Sequence, residues 1–355
     1  MRAIQYTRIG GGPELVDIPR PVPGPGQVLL KITAAGVCHS DAFVMGLSEE
    51  RFLSRYGELP LTLGHEAAGR VVELGAGVDG IDIDTNVVVY GPWGCGTCLN
   101  CAQGMENYCA RAAELQIRPP GLGAPGAAAE FMIVDSVRHL VPIGELDPVA
   151  TVPLTDAGLT PYHAIKRSLN KLRPGSVAVV IGIGGLGHIA IQLLRHLSPT
   201  HIVAVDQSED QLDLARAVGA HDVVISDSEA PLQLRRAVGT GGATLVLDFV
   251  GVQATIDLAM AVAGSQSDVT IVGVGDGRAA AEVGFFRGAY ETNVAVTYWG
   301  SRPELIELIE LARQGVIHTE VERFDLESGV EAYRRMMNGD LRGRAVITPD
   351  GKTSA

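Results

Sequence analysis

The run from Val177 to Leu194 holds no Asp, Glu, Lys or Arg and is long enough to cross a bilayer, yet its glycines break it up. They cluster in GIGGLG (182–187), between a β-branched segment and a helical pattern that continues through Leu197. A buried strand leading into G-x-G-x-x-G and then a helix is a dinucleotide-binding pattern. Gly182 permits the tight turn, Gly184 lets backbone approach a pyrophosphate, and Gly187 lets helix and strand pack closely. The turn continues through Gly185 and Leu186 into a helix start whose free N–H groups face the phosphates. The next strand, HIVAVD (201–206), ends on Asp206, where a carboxylate binds ribose hydroxyls and repels a 2′-phosphate. Gln207 and Ser208 offer no cation for such a phosphate, so NAD is expected rather than NADP.

Strand and helix patterns alternate from about residue 150, which predicts an α/β unit with a doubly wound, Rossmann-type parallel sheet. DQLDLARAVG (210–219) reads as a helix capped by Gly219, and Pro303 opens a helix with Leu305, Leu308, Ile309 and Ala312 on one face. The first half reads differently. Extended runs at 28–36, 67–75, 85–90 and 130–134 are separated by Gly- and Pro-rich punctuation, which predicts an irregular β-rich domain.

Four of the five cysteines, Cys95, Cys98, Cys101 and Cys109, follow the spacing C-x2-C-x2-C-x7-C. Four thiolates so close together saturate a tetrahedral zinc ion and leave no open position, as a structural site requires. Bacterial iron–sulfur runs have three residues, not seven, before the last cysteine. MRAIQYTRIG lacks an apolar signal core, so a cytoplasmic chain with reduced thiols is expected, which favours metal over disulfides. Net charge is −13 with no basic stripe, which argues against nucleic-acid or anionic-membrane partners. A small-molecule substrate is expected instead.

Only Cys38 remains for a second metal site. A catalytic zinc needs three protein ligands and an open position. Cys38 and the His65–Glu66 pair in GHEAAG supply two; spacing leaves Asp41, Glu66, Asp156 and His163 open as the third.

CHSD (38–41), GHExxG (64–69), YGPWGCGTC (90–98), PLTDAGLTPYHA (153–164) and GxGxxG (182–187) together resemble the zinc-dependent medium-chain dehydrogenases/reductases, in particular their NAD-dependent secondary alcohol dehydrogenases. The resemblance covers essentially the whole chain. It implies a GroES-like catalytic domain over 1–155 with a structural-zinc lobe at about 91–112. A Rossmann domain over 156–298 and a C-terminal return segment over 299–355 would follow. It implies a catalytic zinc on Cys38, His65 and Asp156, with Glu66 behind them. Ser40 would carry the substrate proton and His39 would lie near the pyrophosphate. Thr160 would lie near the nicotinamide and Arg344 near the phosphates. Relatives that end the proton relay on a histidine carry it where this chain has Phe43. Phe43, Tyr56, Trp93, Tyr298 and Trp299 are candidate pocket walls, and an aromatic pocket favours apolar alcohols and ketones. The reaction expected is reversible hydride transfer between secondary, and some primary, alcohols and NAD. Rival readings are a polyol or sugar dehydrogenase, a zinc-free quinone-type reductase, and a non-catalytic NAD-binding protein. A homodimer or homotetramer is the family's usual assembly.

Overall fold

The computed structural model describes residues 1–281 and 288–351. Two compact units divide the chain: Met1–Leu159 with Gly300–Gln314 and Thr319–Ala355, and Thr160–Trp299 with Gly315–His318. Asp156 therefore belongs with the first unit, as do Cys38 and His65. Among the described residues no helix is long and apolar enough to cross a membrane.

The first unit is built on a seven-stranded sheet and a smaller three-stranded one. Strand Val28–Val37 pairs antiparallel with Glu66–Leu74 along one side. On its other side it meets Phe131–Val134 at its start and Arg344–Thr348 at its end. Buried Val, Ile, Leu and Met side chains, among them Val28, Leu30, Ile32, Val71 and Met132, form the core here. Each such side chain contributes about 1.5–3 kcal/mol when fully buried. The register has a chemical consequence: Gly36 faces Glu66, and Val37 faces Ala345. Cys38, Glu66 and Arg344 are thereby drawn to one end of the sheet.

The second unit holds a six-stranded, wholly parallel sheet. Its order is Asp222–Ile225, His201–Asp206, Val177–Ile181, Ala243–Asp248, Ala263–Ile271 and Asn293–Val296. The first strand in sequence lies in the middle, so the chain winds to one side and then returns to the other. The switch point lies beside Val177–Ile181, and in such sheets ligands bind at the carboxyl ends there. The charge-free run resolves into strand Val177–Ile181 and the buried first turns of helix Gly187–Leu197, as its glycines predict. Helix Glu209–Ala217 stops earlier than expected: Val218 takes the cap position, and Gly219 follows it with φ +108°. The Pro303 helix spans Arg302–Arg313 and is capped by Ser301, whose hydroxyl accepts from the Glu304 amide while Glu304 reaches back.

Candidate active site

In the second unit the glycine turn connects strand Val177–Ile181 to helix Gly187–Leu197. Gly182 adopts φ +88°, and its N–H donates to the Val205 carbonyl, which binds the turn to the neighbouring strand. A Cβ on Gly187 would lie 2.0 Å from the Gly182 carbonyl oxygen, whereas a Cβ on Gly184 would meet nothing within 4 Å. Gly187 is therefore a packing requirement, whereas Gly184 borders open space. Asp206 lies at the same sheet end; it accepts from the Ile183 N–H at 2.7 Å and the Ser208 N–H at 3.0 Å. Thr160 is buried near the start of helix Leu159–Ser168, which also carries His163.

In the first unit Cys38 follows strand Val28–Val37 directly and serves as the N-cap of helix His39–Met45. His65 immediately precedes strand Glu66–Leu74, and Asp156 follows the short 3-10 turn Val152–Thr155. Cys38 Sγ lies 3.6 Å from Asp156 Oδ2, and His65 Nε2 lies 3.3 Å from the same oxygen. Zinc–ligand bonds of 2.0–2.3 Å at tetrahedral angles place ligand atoms about 3.3–3.8 Å apart. The three side chains therefore fit one zinc ion. Asp41, one of the candidates left open by spacing, stands behind His65 instead: its Oδ1 lies 2.9 Å from Nδ1, and its Oδ2 accepts from the Cys38 N–H at 3.2 Å. A carboxylate in that position fixes the ring so that Nε2 faces the ligand group. Burial pushes the His65 pKa down, but the Asp41 and Cys38 charges outweigh it and raise it well above the usual imidazole range. The charge around this ring favours a cation.

Glu66 is fully buried and engaged by Arg344, Nη2 to Oε1 at 2.6 Å and Nε to Oε2 at 3.1 Å; it also accepts from the Ala157 N–H. Arg344, expected near cofactor phosphates, is 4% exposed and makes a further contact to Asp156 at 3.5 Å. Its fork is occupied with the acidic residues of the metal group. Gly36 makes this pair possible, since a Cβ there would lie 1.7 Å from Glu66 Oε2. Ser40 Oγ lies 3.7 Å from Cys38 Sγ. His39 is exposed at its outer side; partial desolvation of the ring, and then the Arg344 charge, lower its pKa.

Cys95, Cys98, Cys101 and Cys109 present all four sulfurs within 4.8 Å of one another and form no disulfide. Backbone N–H groups of Cys95 and Cys98 donate to the sulfurs of Cys109 and Cys95. With the Thr97 hydroxyl and nearby amides, such bonds lower the Cys95 pKa to about 5, whereas burial raises Cys101 to about 12. Arg138 holds the lobe through the Gly94 carbonyl at 2.6 Å and Glu106 at 3.6 Å. Arg138 was not apparent in the sequence because it lies beyond the lobe and carries no motif.

The aromatic candidates separate by packing. Phe43 is exposed. Tyr56 packs on Phe52 at 5.9 Å, against the core cluster of the first unit. Trp93, expected as a pocket wall, is a core residue stacked on His139 at 5.4 Å. In the second unit Tyr298 is exposed and sits edge-on to buried Trp299 at 6.1 Å.

Residues 24–145 match the alcohol dehydrogenase GroES-like domain family, and residues 185–314 match the zinc-binding dehydrogenase family. The chain is 32% identical to an NAD-dependent alcohol dehydrogenase of Sulfolobus acidocaldarius, covering 98% of this chain and 99% of that one. It is 33% identical to a D-arabinose 1-dehydrogenase (NADP(+)) of Saccharolobus solfataricus, covering 94% and 93%. Among solved structures, the alcohol dehydrogenase of Aeropyrum pernix superimposes with a TM-score of 0.89 at 32% identity, covering 98% of this chain and all of that one.

Proposed function

Because the chain belongs to the zinc-type medium-chain dehydrogenases/reductases, we propose that it is an NAD-dependent alcohol dehydrogenase that interconverts secondary alcohols and ketones. The observation that carries the reading is the Cys38–His65–Asp156 group, whose ligand atoms all lie within 4.8 Å of one another, in a chain whose dinucleotide turn is open at Gly184. Zinc held by those three residues would supply Lewis acidity that acidifies an alcohol hydroxyl, and NAD would supply the hydride acceptor. The chain's own residues do the rest. Ser40, beside Cys38, takes the hydroxyl proton. His39, the adjacent residue and exposed, can pass that proton to solvent. With Phe43 in place of a histidine, the relay ends there. Asp41 holds the His65 ring, and Glu66 with Arg344 balances charge behind Asp156. The four-cysteine lobe would hold a second, structural zinc.

Asp206, with no cation at Gln207 or Ser208, supports NAD over NADP. The D-arabinose relative favours a second reading, a sugar dehydrogenase. One experiment separates them: kcat/KM for 2-octanol, sorbitol and D-arabinose, each with NAD and NADP. Highest efficiency for 2-octanol with NAD is expected. A sugar or polyol that wins overturns the substrate assignment, and preference for NADP overturns the cofactor. A cytoplasmic homodimer or homotetramer belongs to the same reading. Strand Asn293–Val296, at the end of its sheet with Val294 and Val296 exposed, supports self-association.

A further inference from the structure

We infer that Asp248 is a positioning residue for the nicotinamide half of NAD, acting through loop 249–252. This rests on the proposed dinucleotide site at the glycine turn. Asp248 ends strand Ala243–Asp248, whose parallel register with Val177–Ile181 sets it opposite Ile181. The chain that leaves Asp248 therefore emerges beside the glycine turn. The Phe249 N–H donates to the Ile181 carbonyl at 2.9 Å, which fastens the loop to the last residue before Gly182. Val250 then lies against the turn: a Cβ on Gly182 would come 2.8 Å from Val250 Cγ2. Asp206, which the proposed site gives to the adenosine ribose, ends the strand on the opposite side of Val177–Ile181. A dinucleotide that spans the switch point with its adenosine at Asp206 has its nicotinamide half on the Val250 side.

The Asp248 carboxylate sets the shape of this loop. It is fully buried, and the donors it meets are neutral. Its Oδ1 accepts from the Val250 N–H at 2.9 Å and the Gly251 N–H at 3.0 Å, and its Oδ2 accepts from the Thr255 hydroxyl at 2.8 Å. Asp side chains hold turns in this way, by accepting from backbone two residues on. Thr255 lies in the first turn of helix Gln253–Val262, so one carboxylate ties together a strand end, a loop and a helix start. Behind the loop, Gly251 takes φ +75°, and a Cβ there would lie 2.3 Å from the Gly273 carbonyl oxygen. The loop is thus packed from one side, while Val250 stays 38% exposed. Burying a carboxylate is costly unless its hydrogen bonds are strong, and charge-assisted bonds are about twice as strong as neutral ones. The Asp248 charge therefore holds Val250 in place before the cofactor arrives, which lowers the cost of ordering the loop on binding.

The test uses the full-length zinc-loaded protein, two variants and two probes. NADH carries both halves of the cofactor, whereas ADP keeps the adenosine and both phosphates and lacks the nicotinamide half. Asp248→Asn preserves the shape: its Oδ1 still accepts from Val250 and Gly251, and its Nδ2 can donate to the Thr255 hydroxyl, which itself donates to the Val252 carbonyl at 3.0 Å. Only the charge is lost. Asp248→Ala removes the acceptor altogether. Read by calorimetry, Asp248→Asn is expected to weaken NADH about 3–10-fold and to leave ADP affinity and the melting temperature unchanged. Asp248→Ala should weaken NADH further and also lower the melting temperature, with ADP again spared. Equal losses for NADH and ADP in Asp248→Asn, or no loss for either, overturn the Asp248 role alone. A wild type that binds neither probe overturns both the role and the NAD site it serves.

Discussion

At the dinucleotide turn one methyl group distinguishes two glycines that look alike in the sequence. Gly184→Ala adds a Cβ into open space, so the fold should tolerate it. That space is where a pyrophosphate would lie, so NADH affinity should fall about 10-fold, or 1.4 kcal/mol. Gly187→Ala drives its Cβ to 2.0 Å from the Gly182 carbonyl, which should cost about 1–3 kcal/mol of stability. Fluorescence titration with NADH and thermal melts read both. A stability loss in Gly184→Ala as large as that in Gly187→Ala would remove the distinction. Both glycines were legible because the motif is contiguous and each role follows from position in the turn. Gly36 was not legible. Its need comes from strand register, which sets it against Glu66, and Glu66 meets Arg344 from 278 residues away. Asp41 was legible as a polar residue near Cys38, but its place behind His65 requires the helix start to be folded.

At the scale of elements, the parallel strands and their order of appearance followed from hydrophobic runs and glycine punctuation. Helices Glu49–Tyr56 and Gly329–Asn338 did not stand out, because each is short and only a few apolar residues mark its buried face. The N-terminal strand shows how such an element is held. Arg2 donates its backbone N–H to Glu130 Oε2 at 2.8 Å, and its guanidinium meets Oε1 at 3.2 Å. The Arg2 N–H first, and then its side chain, outweigh burial and hold the Glu130 pKa below the usual carboxylate range. A carboxyl whose pKa is lowered by folding adds stability above its unfolded pKa and loses it as pH falls through the folded value. Glu130→Gln should therefore lower stability at pH 7 by about 1 kcal/mol, a modest figure because the Arg2 side chain is 37% exposed. The gap to wild type should narrow as pH falls below the usual glutamate value. Thermal melts of both proteins from pH 7 down to pH 4 measure it, and a gap independent of pH would rule out the charge as its cause.

For the whole molecule, the five cysteines divide into two tasks, and the division is testable as a unit. The lobe has little core of its own: Leu99 is exposed, and among the four cysteines only Cys101 is buried. A metal bound there adds binding free energy to folding, on the order of 10 kcal/mol for comparable sites. The lobe also anchors the returning chain, since the Gly104 carbonyl accepts from the Arg302 N–H at 2.9 Å. Tyr90, just ahead of the lobe, donates to the Gly300 carbonyl at 2.8 Å. Loss of the lobe metal should therefore loosen more than the lobe. The Cys38 group sits in a framework completed by strand pairing and by the Glu66–Arg344 pair, so the zinc proposed there would be needed for chemistry more than for shape. Metal analysis should find two zinc per chain. Cys38→Ser should retain one, keep its melting temperature within a few degrees, and lose turnover by at least about 1000-fold, the several kcal/mol that a Lewis acid supplies. Cys98→Ser should retain the other, and its melting temperature should fall by many degrees as the lobe and the return segment come loose together. Equal falls in melting temperature for the two variants would mean that both metals support one structure, and the separation into a scaffold site and a chemical site would then fail.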